Sequence, residues 1–305
     1  MPELPEVEYT ARQLRAAITG ATISEALVFW ERTIGHPDLP AFLVEIAGRE
    51  ILSVRRRGKF LILDLSGDLI LTIHRRMTGN LLLLPPGWEI DTSLKTSDPS
   101  RPSPIHRPSD LLYCRACFNL TDERRLIFTD PRKFGRIELW SRICEQQALH
   151  GLGAEPLSQE FTPELLAQSL EGRKSPIKQV LLNQEIIAGI GNIYADEALY
   201  YASIHPLRRT DSLTPAEIVL LHEGIVSVLT LGIEHGGTSF SEYRDLWGEA
   251  GDNYNHVRVY HQQGKLCPRC GTPIERIIVA QRGTHFCPNC QKLTSESSNN
   301  YRKPT

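Results

Sequence analysis

The sequence predicts an α+β protein: an N-terminal antiparallel β-sandwich or barrel, then a helical region, then a small metal-bound finger. Three observations carry that reading. Between Ile51 and Thr129 the chain breaks into short apolar runs bounded by Gly, Asp or Pro, as antiparallel strands do. Beyond about Gly153 the punctuation changes to caps followed by proline at the first helical position. Near the C-terminus Cys267, Cys270, Cys287 and Cys290 stand in a C-x2-C-x16-C-x2-C array, a spacing that suits one tetrahedral Zn2+.

The elements follow in order. A helix is expected from about Pro5 to Ile18, with Val7, Leu14 and Ile18 on one apolar side. Strands are expected over 51–54, 60–65, 69–73, 81–84 and 126–129. Between them the stretch 85–112 is rich in proline and serine, cannot pack as a strand, and reads as a long loop inserted into the domain. Thr162-Pro163-Glu164 and Thr214-Pro215-Ala216-Glu217 open helices, the second as a full capping box whose helix runs through Leu221, Ile225 and Leu229 to Gly236-Gly237. Upstream, 177–184 and 192–202 form two short helices joined across Gly189 and Gly191. The start of the second offers backbone amides beside Asn192, a seat for a phosphate. The domain plan is 1–148, a linker over 149–160, a helical domain over 161–264, a finger over 265–292 and a polar tail over 293–305.

The chain start carries candidate chemistry. Removal of Met1 would leave Pro2 with a free secondary amine, and an α-amino group has a pKa of about 8, so near neutrality a useful fraction can attack a carbonyl carbon. Glu3 beside it can move protons. Pro5, Glu6 and Glu8 equally resemble the acidic first turn of a helix, so the terminus alone decides little.

With 305 residues and 41% hydrophobic content, the chain can bury a large core. Its net charge of −2 is unremarkable for a nucleic-acid binder only if cations are locally concentrated. They are: residues 55–79 hold six basic side chains against two acidic ones, 124–136 five against one, and 257–292 six against one. No apolar secretory segment opens the chain and no run approaches transmembrane length, so the cysteines are expected reduced, in a cytoplasmic setting with no membrane partner.

Taken together, several blocks in fixed order resemble the formamidopyrimidine-DNA glycosylase family over nearly the whole length. They are Pro2-Glu3-Leu4-Pro5-Glu6, Arg57-Gly58-Lys59-Phe60, Met77-Thr78-Gly79, Thr129-Asp130-Pro131-Arg132-Lys133-Phe134-Gly135, Gly189-Ile190-Gly191-Asn192-Ile193-Tyr194 and Ala280-Gln281-Arg282. The resemblance implies a sandwich domain flanked by helices, a helix-two-turns-helix domain and a zinc finger. It also implies a monomer that excises oxidised purines (8-oxoguanine, formamidopyrimidines) from double-stranded DNA and then cleaves the strand by β,δ-elimination. By the same resemblance Pro2 is the Schiff-base nucleophile, Glu3 the acid/base, Lys59 the donor in β-elimination and Arg282 the donor in δ-elimination and a phosphate grip. Met77, Arg132 and Phe134 form the wedge that fills the vacated stack, and Arg173, Lys178, Asn192 and Arg282 anchor phosphates. Glu6 orients the first helix.

Two departures stand out. Tyr113-Cys114-Arg115-Ala116-Cys117 replaces a histidine-containing stretch usual in the family, and its third Cys-x-x-Cys reads as two ordinary buried thiols. The loop between Gly236 and Tyr260, expected over the extruded base, carries an unusual Trp247. The rival readings are an endonuclease-eight-type glycosylase for oxidised pyrimidines and a catalytically silent zinc-bearing DNA-binding protein.

Overall fold

The computed structural model describes residues 2–87, 113–240 and 242–293. Met1, nearly all of the 85–112 insertion and nearly all of the 293–305 tail lie outside the described residues. The chain divides into two compact units, Met1–His150 with Ile233–Tyr254, and Gly151–Gly232 with Asn255–Thr305.

In the first unit, α1 (Leu4–Ile18) buries Val7, Ala11, Leu14 and Ile18, the spacing of one helical stripe. Nine strands form one sheet in the order β2-β9-β5-β4-β3-β1-β7-β8-β6. They are β1 (Thr22–Val28), β2 (Ile34–His36), β3 (Arg49–Arg57), β4 (Phe60–Leu65), β5 (Leu69–His74), β6 (Asn80–Leu84), β7 (Cys114–Leu120), β8 (Arg125–Thr129) and β9 (Arg136–Ser141). All pairings are antiparallel except β2 with β9. Only Thr22↔Glu50 and Ile23↔Arg49 join β1 to β3, so the sheet has two halves that share one core. Leu61, Leu63, Leu71, Ile73, Ile137 and Leu139 enter it from one half, and Leu81, Leu83, Ala116, Phe118, Leu126 and Phe128 from the other. Alternate positions along each strand supply these residues, the period of a half-buried strand, and the expected sandwich results. Each such leucine, isoleucine or phenylalanine contributes roughly 1.5–3 kcal/mol by leaving water. A short helix, α2 (Leu39–Ile46), closes one side through Phe42 and Ile46, and Asp38 caps it by accepting the Ala41 N–H at 3.0 Å. One further turn, α3 (Glu145–Ala148), ends this stretch.

In the second unit, α4 (Pro163–Leu170) starts on the Thr162 cap, whose Oγ1 accepts the Leu165 N–H at 3.2 Å. Then come α5 (Ile177–Leu181), α6 (Asn192–Tyr201), α7 (Pro215–Glu234) and the finger hairpin of β10 (Glu275–Val279) and β11 (Arg282–Phe286). The capping box of α7 forms as expected: the Thr214 N–H donates to Glu217 Oε2 at 2.8 Å and the Glu217 N–H to Thr214 Oγ1 at 3.3 Å.

Two expectations change. The helical domain expected over 161–264 is interrupted, because 233–254 joins the first unit, where Leu246 enters the sandwich core and accepts the Leu83 N–H at 3.0 Å. The expectation that no run reaches transmembrane length is also corrected: α7, with 20 residues, is long and apolar enough to cross a membrane by length and composition. In this structure it packs on α6. A Cβ on Gly224 would lie 3.0 Å from the Ala198 carbonyl and one on Gly232 2.5 Å from the Tyr194 hydroxyl, so glycine sets the helix–helix distance.

Candidate functional site

Pro2 and Glu3 are both buried, and α1 begins immediately after them. Glu6 fixes that start: its Oε2 accepts the Glu3 N–H at 2.7 Å, and its Oε1 accepts the Thr238 N–H at 2.7 Å. It therefore orients the helix, as expected. Lys59, 6% exposed, sits in the two-residue turn between β3 and β4, where Gly58 adopts φ 53°, a conformation glycine enters without a Cβ penalty. Arg56 fastens this turn to α1, donating from Nε to Glu8 Oε2 at 2.9 Å and from Nη1 to the Gly58 carbonyl at 3.1 Å. Beside the turn, His74 Nδ1 accepts the Arg76 N–H at 3.1 Å. Burial, with Arg76 and Lys59 adding to it, pushes the His74 pKa down to about 3, so the imidazole is neutral.

The three residues expected to form the wedge, Met77, Arg132 and Phe134, lie together on the first unit. Arg132 Nη1 lies 3.2 Å from Met77 Sδ and its guanidinium 4.9 Å from the centre of the Phe134 ring. Met77 and Phe134 are 39% and 49% exposed; apolar side chains of that size left in water are candidates for contact with a partner. Their display has a specific cause. Asp130 is fully buried, and its carboxylate accepts the N–H groups of Arg132 at 3.1 Å and of Phe134 and Gly135 at 2.7 Å each. It also accepts the Thr78 hydroxyl, which ties the Arg132 loop to the Met77 turn. Gly79 and Gly135 both abut Phe128, and a Cβ on Gly79 would come within 2.8 Å of its ring. The Asp130-Pro131 pair thus builds the fixed turn the sequence suggested.

The second unit carries the remaining predicted residues. Arg282 is exposed at the first position of β11, after a turn in which Ala280 and Gln281 take φ 48° and 60°. Two non-glycine residues in left-handed conformation cost on the order of 1–2 kcal/mol each, a strain often retained where a tip must be presented in one way. Asn192 begins α6 and donates from Nδ2 to the Gly283 carbonyl at 2.9 Å, so the helix start and the Arg282 hairpin are joined. Arg173 is exposed, with its Nε on the Ser169 carbonyl at 2.8 Å.

Lys178 is a correction. Its side chain is 0% exposed and forms an ion pair with Asp196 at 2.6 Å, and it donates to Thr284 Oγ1 at 2.7 Å. It is an internal strut between α5, α6 and β11, its ammonium turned inward to Asp196 and Thr284. The basic run 55–79 is corrected in the same way: Arg55 pairs with Asp64 and Glu145, Arg56 with Glu8, and Arg75 is buried. Sequence reasoning missed Asp196 and Glu197. Glu197 accepts the N–H groups of Arg258, Val259 and Tyr260 at 2.8, 2.9 and 2.8 Å, and Asp196 accepts that of His285 at 2.8 Å. The available signal was two adjacent acids in a helix buried from Ile193 to Tyr200, where carboxylates persist only with partners.

The cysteine array forms a metal site. The four Sγ atoms lie within 4.8 Å of one another, with Cys267–Cys290 at 3.9 Å and Cys270–Cys287 at 3.5 Å. Zinc–sulfur bonds of about 2.3 Å in a tetrahedron require sulfurs roughly 3.8 Å apart, so the thiolates fit one Zn2+. Tyr200 of α6 joins Cys267, Cys287, Val259 and Ile274 in a small core beneath it. Cys114 and Cys117 lie apart, packed with Leu84 and Ile127. Burial pushes their pKa values up to about 12 and about 11, so both are protonated, inert thiols.

Comparison with known proteins matches three family models in order: the formamidopyrimidine-DNA glycosylase N-terminal domain over residues 1–137, the H2TH domain of the same enzymes over 152–244, and the zinc finger found in FPG and IleRS over 264–293. A formamidopyrimidine-DNA glycosylase of Symbiobacterium thermophilum is 44% identical over 295 residues, 96% of this chain and 90% of that protein. Among solved structures, a Lactococcus lactis Fpg variant in complex with Fapy-dG DNA superposes with a TM-score of 0.82 at 34% identity, covering 96% of this chain and 100% of its own. The wild-type Lactococcus enzyme with an oxidised-pyrimidine DNA gives 0.81 at 34% identity, covering 96% and 100%.

Proposed function

Since the chain belongs to the formamidopyrimidine-DNA glycosylase family, we propose that it acts in base-excision repair as a monomer in the cytoplasm, removing oxidised purines from duplex DNA through its terminal proline and then cutting the strand. The observation that supports this most directly is the gathering of Met77, Arg132 and Phe134 on the unit whose chain start is Pro2-Glu3. Extruding a nucleotide costs a few kcal/mol, which an apolar wedge in the vacated stack offsets. Arg132, held by Asp130, offers guanidinium donors to the exposed edge of the unpaired cytosine.

With Met1 removed, the Pro2 nitrogen donates its lone pair to the sugar C1′. The base leaves with the electron pair of the glycosidic bond and takes up a proton, and Glu3 protonates the ring oxygen as the sugar opens. The resulting iminium draws electrons from C1′, so a C2′ proton is lost and the 3′-phosphate departs. Loss of a second proton expels the 5′-phosphate, and hydrolysis of the iminium frees Pro2. Lys59 is the proton carrier for the first elimination. Arg282 remains protonated at all relevant pH values and steadies the phosphate in the second. Arg173 and the start of α6 at Asn192 hold the DNA backbone; Lys178 positions these elements from inside. The zinc site stabilises the finger that bears Arg282 and takes no part in the chemistry.

Borohydride reduction on a lesion-containing duplex tests the mechanism. Wild type should form a stable cross-link, and Pro2→Gly and Glu3→Gln should abolish or strongly weaken it. A cross-link that both variants form at the wild-type level ends the Pro2 assignment. The same assay with an oxidised-pyrimidine duplex measures how far the activity extends to the lesion class bound by the Lactococcus enzyme.

A further inference from the structure

Arg75 is the largest fully buried side chain, at 1% exposure. A buried guanidinium is retained only where its donors are met, and its partners lie on three separate segments of the first unit. Toward its own turn, Nε donates to the Gly79 carbonyl at 2.8 Å, while the Arg75 carbonyl accepts the Gly79 N–H at 3.0 Å. These two bonds close 75–79 into a ring with Met77 at its outer edge and Arg76 forced to φ 55°. Toward α1, Nη1 donates to Thr10 Oγ1 at 2.9 Å, and that hydroxyl donates to the Glu6 carbonyl at 2.8 Å. Toward the 242–246 segment, Nη2 donates to the Arg244 carbonyl at 3.1 Å and to Asn80 Oδ1 at 2.6 Å. Asn80 in turn accepts the Arg244 N–H at 3.1 Å and donates to the Glu242 carbonyl at 2.7 Å. The guanidinium also faces the Tyr243 ring at 5.1 Å.

We infer that Arg75 is a positioning residue that locks the Met77 turn in register with α1, which follows Pro2 and Glu3, and with the 242–246 segment, so that base displacement, and not sugar chemistry, depends on it. The inference rests on the wedge reading of Met77 in the proposed function. The physical reason is that Met77 must push with a fixed stance against the stack, and a five-residue turn alone cannot hold that stance. Fork-shaped donors reach three segments from one planar group, which neither lysine nor an apolar residue reproduces. Thr10 and Asn80 extend the fork at either end.

The test separates the two stages of the reaction. Single-turnover rates are measured for Arg75→Leu and Thr10→Val on an 8-oxoguanine duplex and on the same duplex carrying a preformed abasic site, where no base remains to displace. Arg75→Leu should lower the excision rate at least ~10-fold, about 1.4 kcal/mol of transition-state stabilisation, and leave abasic-site cleavage and its borohydride cross-link within about twofold. Thr10→Val, which removes one contact of the guanidinium and the link from Thr10 to the Glu6 carbonyl but no charge, should shift the ratio of the two rates in the same direction by less, and it carries the test if Arg75→Leu does not fold. Equal loss on both substrates, as a smaller folded fraction produces, or an unchanged ratio overturns the assignment. A wild type that never cross-links to the abasic duplex overturns the Pro2 reading instead, so the two failures are distinct.

Discussion

Replacing Asp130 by Asn removes the charge and one acceptor from the carboxylate that organises the Arg132–Gly135 loop while keeping its shape. In the native loop Oδ2 receives two backbone N–H groups at 2.7 Å, and Oδ1 receives the Arg132 N–H at 3.1 Å together with the Thr78 hydroxyl. The best rotamer of Asn keeps its oxygen on the Phe134 and Gly135 amides and turns its NH2 toward Thr78, whose hydroxyl then accepts. The Arg132 N–H loses its carboxylate in that arrangement, and the other two amides exchange an anionic acceptor for a neutral one. Hydrogen bonds to charged groups contribute about 1.5–3 kcal/mol and neutral ones about 1, so one lost bond and two weakened ones cost roughly 2.5–7 kcal/mol together. For folding units of this size about 1 kcal/mol moves Tm by roughly 2–4 °C, giving an expected fall of at least about 5 °C by calorimetry. The opposite-base preference should weaken alongside, because Arg132 loses its stance. A variant that melts within about 1 °C of wild type and keeps its preference refutes the view that this carboxylate holds the loop.

Other outcomes follow from the same geometry. Arg282→Ala should reduce the slope of log affinity against log salt by about 0.9, the signature of one lost phosphate contact, whereas Lys178→Met should leave the slope unchanged and lower the melting temperature, since Asp196 stays buried without its cation. Zinc analysis should give one ion per chain, and Cys287→Ser or prolonged chelation should remove it and weaken DNA binding without preventing the terminal cross-link. Stability should fall as pH drops below the ordinary histidine range: burial lowers His205 to about 4 and His74 to about 3, so the unfolded chain takes up protons from about pH 6.5 while the folded one does not. Each contributes stability that is complete above pH 6.5 and is lost toward pH 4 and below, on the order of 1 kcal/mol per pH unit; His205→Gln should flatten the dependence of the urea midpoint. Cys114 and Cys117 should resist alkylation at pH 8 until the protein is unfolded, because the thiolate is the reactive form.

Much of this architecture was legible because its signals are local. Apolar runs of β4, β5, β6 and β8, the Thr162 and Thr214 caps, and the cysteine spacing each declare themselves within a few residues, and the structure places them as expected. β7 was not read as a strand, since Cys114, Arg115 and Asn119 interrupt its apolar pattern; its alternation appears only once Ala116 and Phe118 face the core. Charges misled for a related reason. Arg75, Arg56 and Lys178 look like surface cations in a string of letters, and only tertiary partners at Thr10, Glu8 and Asp196 show that they point inward. Met77, Arg132 and Phe134 were legible as motif residues, but the acid that presents the Arg132 loop was visible only as half of an Asp-Pro turn.

The chain passes from one unit to the other three times, after His150, Gly232 and Tyr254. No single cut therefore yields a complete half. A fragment ending at residue 150 would expose the Leu83 N–H and empty the place of Leu246 in the sandwich interior, while a fragment starting at 151 would carry the 233–254 stretch with nothing to cover it. Complementation from two pieces made by any single cut should break one of the two units, and an exchange of the first unit between relatives would have to carry 233–254 together with residues 1–150.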